Sequence, residues 1–301
     1  MISSDMAKSL HLRLEFIELV ARSASHRYKT YRIKKRTGGS REINHPAKEL
    51  KLLQRWLVEY ILSSLKIHDS VYSYRVGVNI RDLALAHLHS NYLCRIDLKD
   101  YFPSIKDRDV RRLLRTTLKS MTKRDIWFIS SIVCRFGQLT IGAPSSPIIS
   151  NAIMYPLDHA ISALCDKNGA TYTRYADDLH ISAKKQDVIG SIVPKIIKLI
   201  HEINSPRLRV NHKKTIHTSR KHRMMIAGLT ISSERKISIG RERKREIKSL
   251  VFKYTNDQLK EPEIQYLRGM LAYIKSVEPS FIKRLQKKYT SSVIRAIINQ
   301  I

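Results

Sequence analysis

The residues best suited to chemistry are two adjacent carboxylates, Asp177 and Asp178, within Tyr172–Ser182 (YTRYADDLHIS). Tyr172, Tyr175, Leu179 and Ile181 favour strand, which leaves the acids at the turn of a tight hairpin. Two carboxylates side by side repel each other at neutral pH unless a cation offsets their charge. Solvated turn acids are the commoner fate of an Asp-Asp pair, so a third carboxylate has to tip the balance. Asp97 supplies it, at the end of a strand within Leu93–Ile105 (LCRIDLKDYFPSI). Three carboxylates on two strand ends can hold two divalent ions about 3.5–4 Å apart, the arrangement used for in-line phosphoryl displacement. Mg2+ is the natural choice for an all-oxygen site that must also accept phosphates, with Mn2+ a possible substitute. Asp100, three residues on, is expected to bridge structurally near a triphosphate.

Elements on both sides must position these acids. Residues 5–22 carry Leu10, Leu14, Ile17 and Ala21 at helical spacing, predicting one amphipathic helix. YKTYRIKKRTGGSREIN alternates apolar and basic residues around Gly38-Gly39, predicting a hairpin that presents Lys34, Lys35, Arg36 and Arg41 to phosphate. Asn44 and Pro46 are expected to start a helix reaching about Leu65. A loop at Arg75–Asn79 and a helical pattern through Leu83, Ala84 and His87 precede the strand Tyr92–Leu98. Residues 107–136 read as a basic helix pair, and GQLTIGAPSSP as a shaped loop leading into a helix over 148–164. After the Asp-Asp hairpin come a helix over 185–203, the basic turn VNHKKT, and strands over 225–231 and 236–239. From Gly240 the chain turns to basic helices, with Leu267, Met270, Leu271 and Ile274 on a buried face.

Charge narrows the partners. Lys and Arg number 56 against 26 acids, a formal net charge of +30, while 43% of residues are hydrophobic. A folded chain with that excess repels itself unless a polyanion neutralises it, so nucleic acid is the expected partner and an anionic membrane surface a poor second. No apolar run approaches the roughly 18 residues of a membrane span, and MISSDMAKSL lacks a signal-peptide core. Cys94, Cys134 and Cys165 lie far apart, the pattern of reduced thiols in a cytosolic protein rather than of zinc ligands.

RIDLKDYFPSI, GAPSSPIISN, YADD, VNHKKT and AGLTIS follow one another in that order. The ordered set resembles the palm motifs of reverse transcriptases, and specifically of bacterial retron reverse transcriptases. The likeness extends to Arg27–Leu65 and to YLRGMLAYIKSVEP, so it spans most of the chain. It implies an α+β right-hand polymerase, with an N-terminal helix and fingers over 1–85 and a basic helical thumb over 236–301. Between them, a palm with a small antiparallel sheet covers 86–235, with a helical fingers insertion around 107–136. Asp97, Asp177 and Asp178 become the metal ligands and catalytic acids. Phe102 matches a steric gate against a ribose 2′-hydroxyl. Arg41, and more weakly Lys35, match triphosphate contacts, as does Lys214. Tyr101, Asp100, Ile141 and Gly142 fall at positions lining the nucleotide, and Gly142 and Pro144 fit close backbone approach to template or nucleotide. His87, Gly228 and Arg268 are RNA-contact candidates, although His87 could equally be a core histidine.

The resemblance further implies RNA-templated addition of dNTPs on a dedicated structured noncoding RNA and priming from its 2′-hydroxyl. The product would be a branched RNA-linked DNA (msDNA), and antiphage defence would run through a nearby effector protein. No RNase H, endonuclease or toxin segment is read after the thumb. Three departures stand out: Ile141 where the family usually has Gln, Leu83 for Asn in LALAH, and Ile226-Ala227-Gly228 for Val-Thr-Gly. The alternatives are a group II intron-type or other bacterial reverse transcriptase, and a scaffold that binds structured RNA without synthesis.

Overall fold

A computed structural model describes residues 1–34 and 38–299, with the side chain of Asn299 left out. The chain opens with α1 (Ile2–Leu10) and α2 (Leu14–Arg22) rather than the single helix expected over 5–22. His11 sits between them at φ 52, a left-handed cap that ends α1. β1 (Tyr28–Lys34) and β2 (Ser40–Pro46) form the expected basic hairpin, antiparallel with Lys34 opposite Ser40. The next helix, α3 (Lys48–Tyr60), begins later than the sequence suggests. Asn44 is held in β2 instead: its N–H donates to the Ile141 carbonyl (2.8 Å) and its Oδ1 accepts from Thr30 (2.8 Å).

α4 (Ile80–Ala86) is started by a capping box in which Asn79 Oδ1 accepts from the Arg81 and Asp82 N–H groups and Asp82 accepts from the Asn79 N–H. β3 (Tyr92–Asp97) leads through Asp100, left-handed at φ 50, into the short α5 (Tyr101–Ser104). The expected basic pair is α6 (Asp107–Thr117) and α7 (Lys123–Val133). The helix expected over 148–164 is two, α8 (Ser146–Ile153) and α9 (Tyr155–Lys167). They part at Met154, where Pro156 occupies the first turn of α9, the helical position that tolerates a missing N–H.

β4 (Ala170–Tyr175) and β5 (Asp178–Ala183) follow, then α10 (Gln186–Glu202). β6 (Ile216–Ser219), an edge strand of weak apolar character, escapes the sequence reading. β7 (Met224–Ile226), β8 (Leu229–Ile231) and β9 (Ile237–Ser238) make a separate three-stranded sheet. The strand expected over 225–231 therefore folds back on itself. Ala227 (φ 47) and Gly228 (φ 81) supply the two positive φ angles that a tight hairpin turn of this kind needs. The C-terminal region comprises α11 (Arg241–Thr255), α12 (Glu261–Val277), α13 (Pro279–Tyr289) and α14 (Ser291–Asn299).

The central sheet is antiparallel in the order β4-β5-β3-β6. Cys94, Ile96, Leu179 and Ile181 join the largest buried cluster, which α3, α7, α9 and α10 complete. The opposite face carries Leu93 against Met224, Ile226 and Ile231 of the small sheet. The C-terminal helices bury a third cluster around Leu267, Leu271, Ile274 and Phe281, with Ala84 of α4 and Leu229 of β8 inside it. Among the described residues no helix is long and apolar enough to cross a membrane.

Candidate active site

Sheet register brings the acids together. Asp97, the last residue of β3, lies opposite Asp178, the first of β5. Tyr175 pairs with the same Asp178 across the hairpin, so Ala176 and Asp177 form a two-residue turn. Ala176 takes φ 55 to close it, and the Asp177 carbonyl accepts from the Leu98 N–H (2.9 Å). Three carboxylates thus sit at one end of one sheet.

Their neighbours are cationic or polar. Asp97 Oδ1 accepts from Asn211 Nδ2 (2.8 Å), its Oδ2 lies 3.4 Å from Lys214 Nζ, and its carbonyl accepts from the Asn211 N–H (2.8 Å). The VNHKKT turn therefore acts on Asp97 directly. Asp178 Oδ1 lies 3.9 Å from Arg95 Nε. Burial, with Asp177 beside it, pushes the Asp178 carboxyl up to about 6. Asp177 is raised as well, by burial and by Asp97, while the charges of Arg41 and Lys214 act the other way. Among the described residues no three His, Cys, Asp or Glu side chains are gathered closely enough to hold a metal ion, so the expected cage is not closed. The donor set nonetheless fits a hard divalent cation. It is all carboxylate oxygen, it is partly buried, and its mutual repulsion is what such a cation offsets.

Beneath the turn lies a network that the sequence reading missed. Arg174 is fully buried and bidentate to Asp158 of α9, Nε to Oδ1 at 2.8 Å and Nη2 to Oδ2 at 2.6 Å. Its Nη1 donates to the Tyr101 hydroxyl (3.0 Å), Asn151 Oδ1 (3.1 Å) and the carbonyl of Ala176 (3.1 Å). Tyr172 also donates to Asp158 (2.7 Å). A guanidinium bonded at all three of its nitrogens thus holds the Ala176-Asp177 turn from below. The available signal was Arg174 in a strand otherwise fit for burial, together with Asp158 on the apolar face of its helix.

The other expected site residues fall at varied depths. Phe102 is half-buried at the site, edge-on to Tyr101 with ring centroids 5.3 Å apart. Tyr101 itself is buried beneath it, its hydroxyl bonded to Arg174 and Ser150, so its side chain cannot line a nucleotide pocket as expected. Asp100 is exposed and pairs with Arg209 at 3.4 Å. Arg41 is exposed on β2, near enough for its charge to act on Asp177. Gly142 (φ 114) makes its close approach to β2: a Cβ there would meet the Asn44 carbonyl oxygen at 2.7 Å. That contact with β2 calls for a glycine by itself, and Ile141 serves it through its carbonyl. Lys35 lies outside the described residues.

Among the RNA candidates, Gly228 is exposed at the β7–β8 turn, while Arg268 donates from Nε to the Ile297 carbonyl (3.0 Å) and so ties α12 to α14. His87 is fully buried, its ring nitrogens bonded to Ser182 Oγ (2.6 Å) and Thr173 Oγ1 (2.7 Å). It is a core histidine, with burial pushing it down to about 3, and the RNA-contact expectation is withdrawn for it.

Residues 33–267 match the family described as reverse transcriptase (RNA-dependent DNA polymerase). Over 288 residues the chain is 38% identical to the retron Ec83 reverse transcriptase of Escherichia coli, covering 93% of this chain and 92% of that one. It is 32% identical to the retron Ec86 reverse transcriptase of Escherichia coli, covering 95% and 89% respectively. The chain belongs to the reverse transcriptase family, among its retron members. Its activity is that of an RNA-directed DNA polymerase. The apo telomerase of Candida tropicalis aligns with a TM-score of 0.51 at 13% identity, over 90% of this chain and 61% of that one. At that identity the likeness carries the fold alone, the right-hand polymerase. Retron membership also gives the basic balance its meaning, since a template and its product are both polyanions.

Proposed function

We propose that this reverse transcriptase copies part of a dedicated structured noncoding RNA into msDNA, priming from a 2′-hydroxyl of that RNA. The observation that carries the reading is the register of Asp97 against Asp178 with Asp177 in the turn between them. Asp97, Asp177 and Asp178 would hold two Mg2+ ions. When bound there, such ions lower the pKa of the attacking hydroxyl and neutralise charge on the phosphates. In the reaction a bond forms from the primer oxygen to the α-phosphorus of the dNTP. The bond from that phosphorus to the bridging oxygen breaks, and pyrophosphate leaves.

The chain's own groups then divide the work. Asn211 and Lys214 orient Asp97, and Lys214 is free to turn to the triphosphate once a cation replaces it. Arg41 meets the phosphates from the fingers, where guanidinium geometry suits phosphate oxygens. Phe102 stands against the sugar and disfavours a 2′-hydroxyl. Gly228, at the exposed β7–β8 turn, and Arg268 in the thumb face the RNA. The fingers would cover 1–85, the palm 86–235 with its helical insertion around 107–136, and the thumb 236–301. The same reading puts the enzyme in the cytoplasm, in antiphage defence with an effector protein encoded nearby. Names of the relatives support the retron assignment.

Expression of the chain with its upstream genomic DNA tests the reading. A small branched DNA present with wild type and absent with Asp177→Asn is the expected result. RNA copurifying without DNA would favour the scaffold alternative.

A further inference from the structure

The segment before α4 is built into the catalytic turn. The Arg174 N–H donates to the Ser70 carbonyl (2.7 Å) and the Tyr72 N–H to the Arg174 carbonyl (2.9 Å), so residues 70–72 run alongside β4. Ser73 is fully buried. Its hydroxyl accepts from the Ala176 N–H (2.8 Å), and its carbonyl accepts from Asn151 Nδ2 (2.9 Å). Ala176 immediately precedes Asp177, so the residue after Ser73 has to emerge beside the carboxylates. That residue is Tyr74.

Tyr74 emerges in a strained conformation. Its φ is 58, the left-handed region that side chains with a Cβ avoid, and its ring is 53% exposed. On its far side Arg75 is anchored, Nη1 donating to the carbonyls of His68 (3.2 Å), Asp69 (3.1 Å) and Val71 (3.0 Å). Val76, next but one after Tyr74, is also fully exposed. Burial raises the Tyr74 hydroxyl, and Tyr175 and Asp177 add to the rise while the charge of Arg41 acts the other way. An aromatic residue held at a backbone cost, half in solvent and next to the reacting acids, has a ligand as its natural purpose.

We infer that Tyr74 is a stacking platform for the templating base of the RNA at the polymerising position. This rests on the polymerase reading given above. The proposed roles of Arg41, Lys214 and Phe102 cover the phosphates and sugar of the incoming nucleotide, and none of the three is assigned to the face of the nascent base pair. A templating position must accept all four bases, and stacking on an aromatic ring is tolerant of sequence where hydrogen-bond readout is not.

The test uses the full chain with Mg2+, dNTPs and a primed RNA carrying 2-aminopurine at the templating position. Wild type should quench the probe and extend the primer. Tyr74→Gly should leave the probe bright and raise the KM for dNTP roughly five- to a hundredfold, the range for losing one stacked base. Its kcat should stay close to wild type, and its Tm should be unchanged or higher because Gly accepts the backbone conformation. Tyr74→Phe should restore quenching and KM together. Wild-type quenching and KM in the Gly variant would overturn the inference, as would a lowered Tm, which would make the ring a support for the fold. Failure of wild type to extend the primer would remove the polymerase reading itself and this inference with it.

Discussion

Replacing Asp178 with Asn should make the metal-free enzyme more stable while abolishing synthesis. The Asp178 carboxyl is raised from 3.8 in its ordinary state to about 6 in the fold, by burial and by Asp177. A carboxyl raised on folding binds its proton more tightly in the native state. The associated stability is present below the unfolded value and is lost as pH rises from about 4 through about 6. At pH 8 the full shift corresponds to about 3 kcal/mol at 1.36 kcal/mol per unit. Because the side chain is 32% exposed, solvent screening reduces this to about 1–2 kcal/mol. Asn keeps the shape and removes the charge, and at 3.9 Å the contact with Arg95 contributes little. At about 2 °C per kcal/mol for a chain of this size, the variant should melt about 2–4 °C higher in EDTA at pH 8. The gain should fall to about half by pH 5 and mostly vanish at pH 4. Added Mg2+ should raise the wild-type Tm and narrow the gap. Thermal melting across that pH range is the assay. A variant less stable than wild type at pH 8, or a gain independent of pH, would refute the electrostatic account of the site.

Arg174→Met should cost about 3–5 kcal/mol in urea unfolding, because it leaves Asp158 buried without its partner, and Asp158→Asn in the same chain should recover part of the loss. Gly142→Ala should destabilise by about 1–3 kcal/mol through its φ of 114 and its collision with Asn44, and should raise the KM for dNTP by displacing β2, both measurable on purified protein. Binding to a primed duplex should weaken steeply with salt, the log–log slope falling by about 0.9 for each phosphate contact. Arg268→Ala should then flatten that slope by about one contact in a fluorescence-anisotropy titration.

Much of this site could be read along the chain because its parts carry local signatures. The Asp-Asp turn shows as a break in a strand pattern, and Asp97 as the end of an apolar strand. VNHKKT shows as a basic turn that does reach Asp97, through Asn211 and Lys214. What escaped depended on partners distant in sequence. Nothing near His87 announces that Thr173 and Ser182 will satisfy both its nitrogens, and so the sequence left a core histidine and an RNA contact equally open. The same holds for Arg174, whose meaning lies in Asp158, Tyr101 and Asn151 on three other elements. Gly142 was legible as a glycine that needed room, but its neighbour proved to be Asn44 of β2. Helix breaks at His11 and Met154 rest on single backbone angles and one proline, too small a signal to outweigh continuous apolar spacing. β6 pairs only at a sheet edge, so its sequence carries little strand character.

The most direct measurement is incorporation of dNTPs by the purified chain on a DNA-primed RNA template with Mg2+, wild type beside Asp177→Asn. Template-dependent extension by wild type, lost in the variant while its melting temperature holds or rises, is the result this account predicts. Equal extension by both would contradict it, because synthesis would then not run through the carboxylates at the end of the β4-β5-β3-β6 sheet.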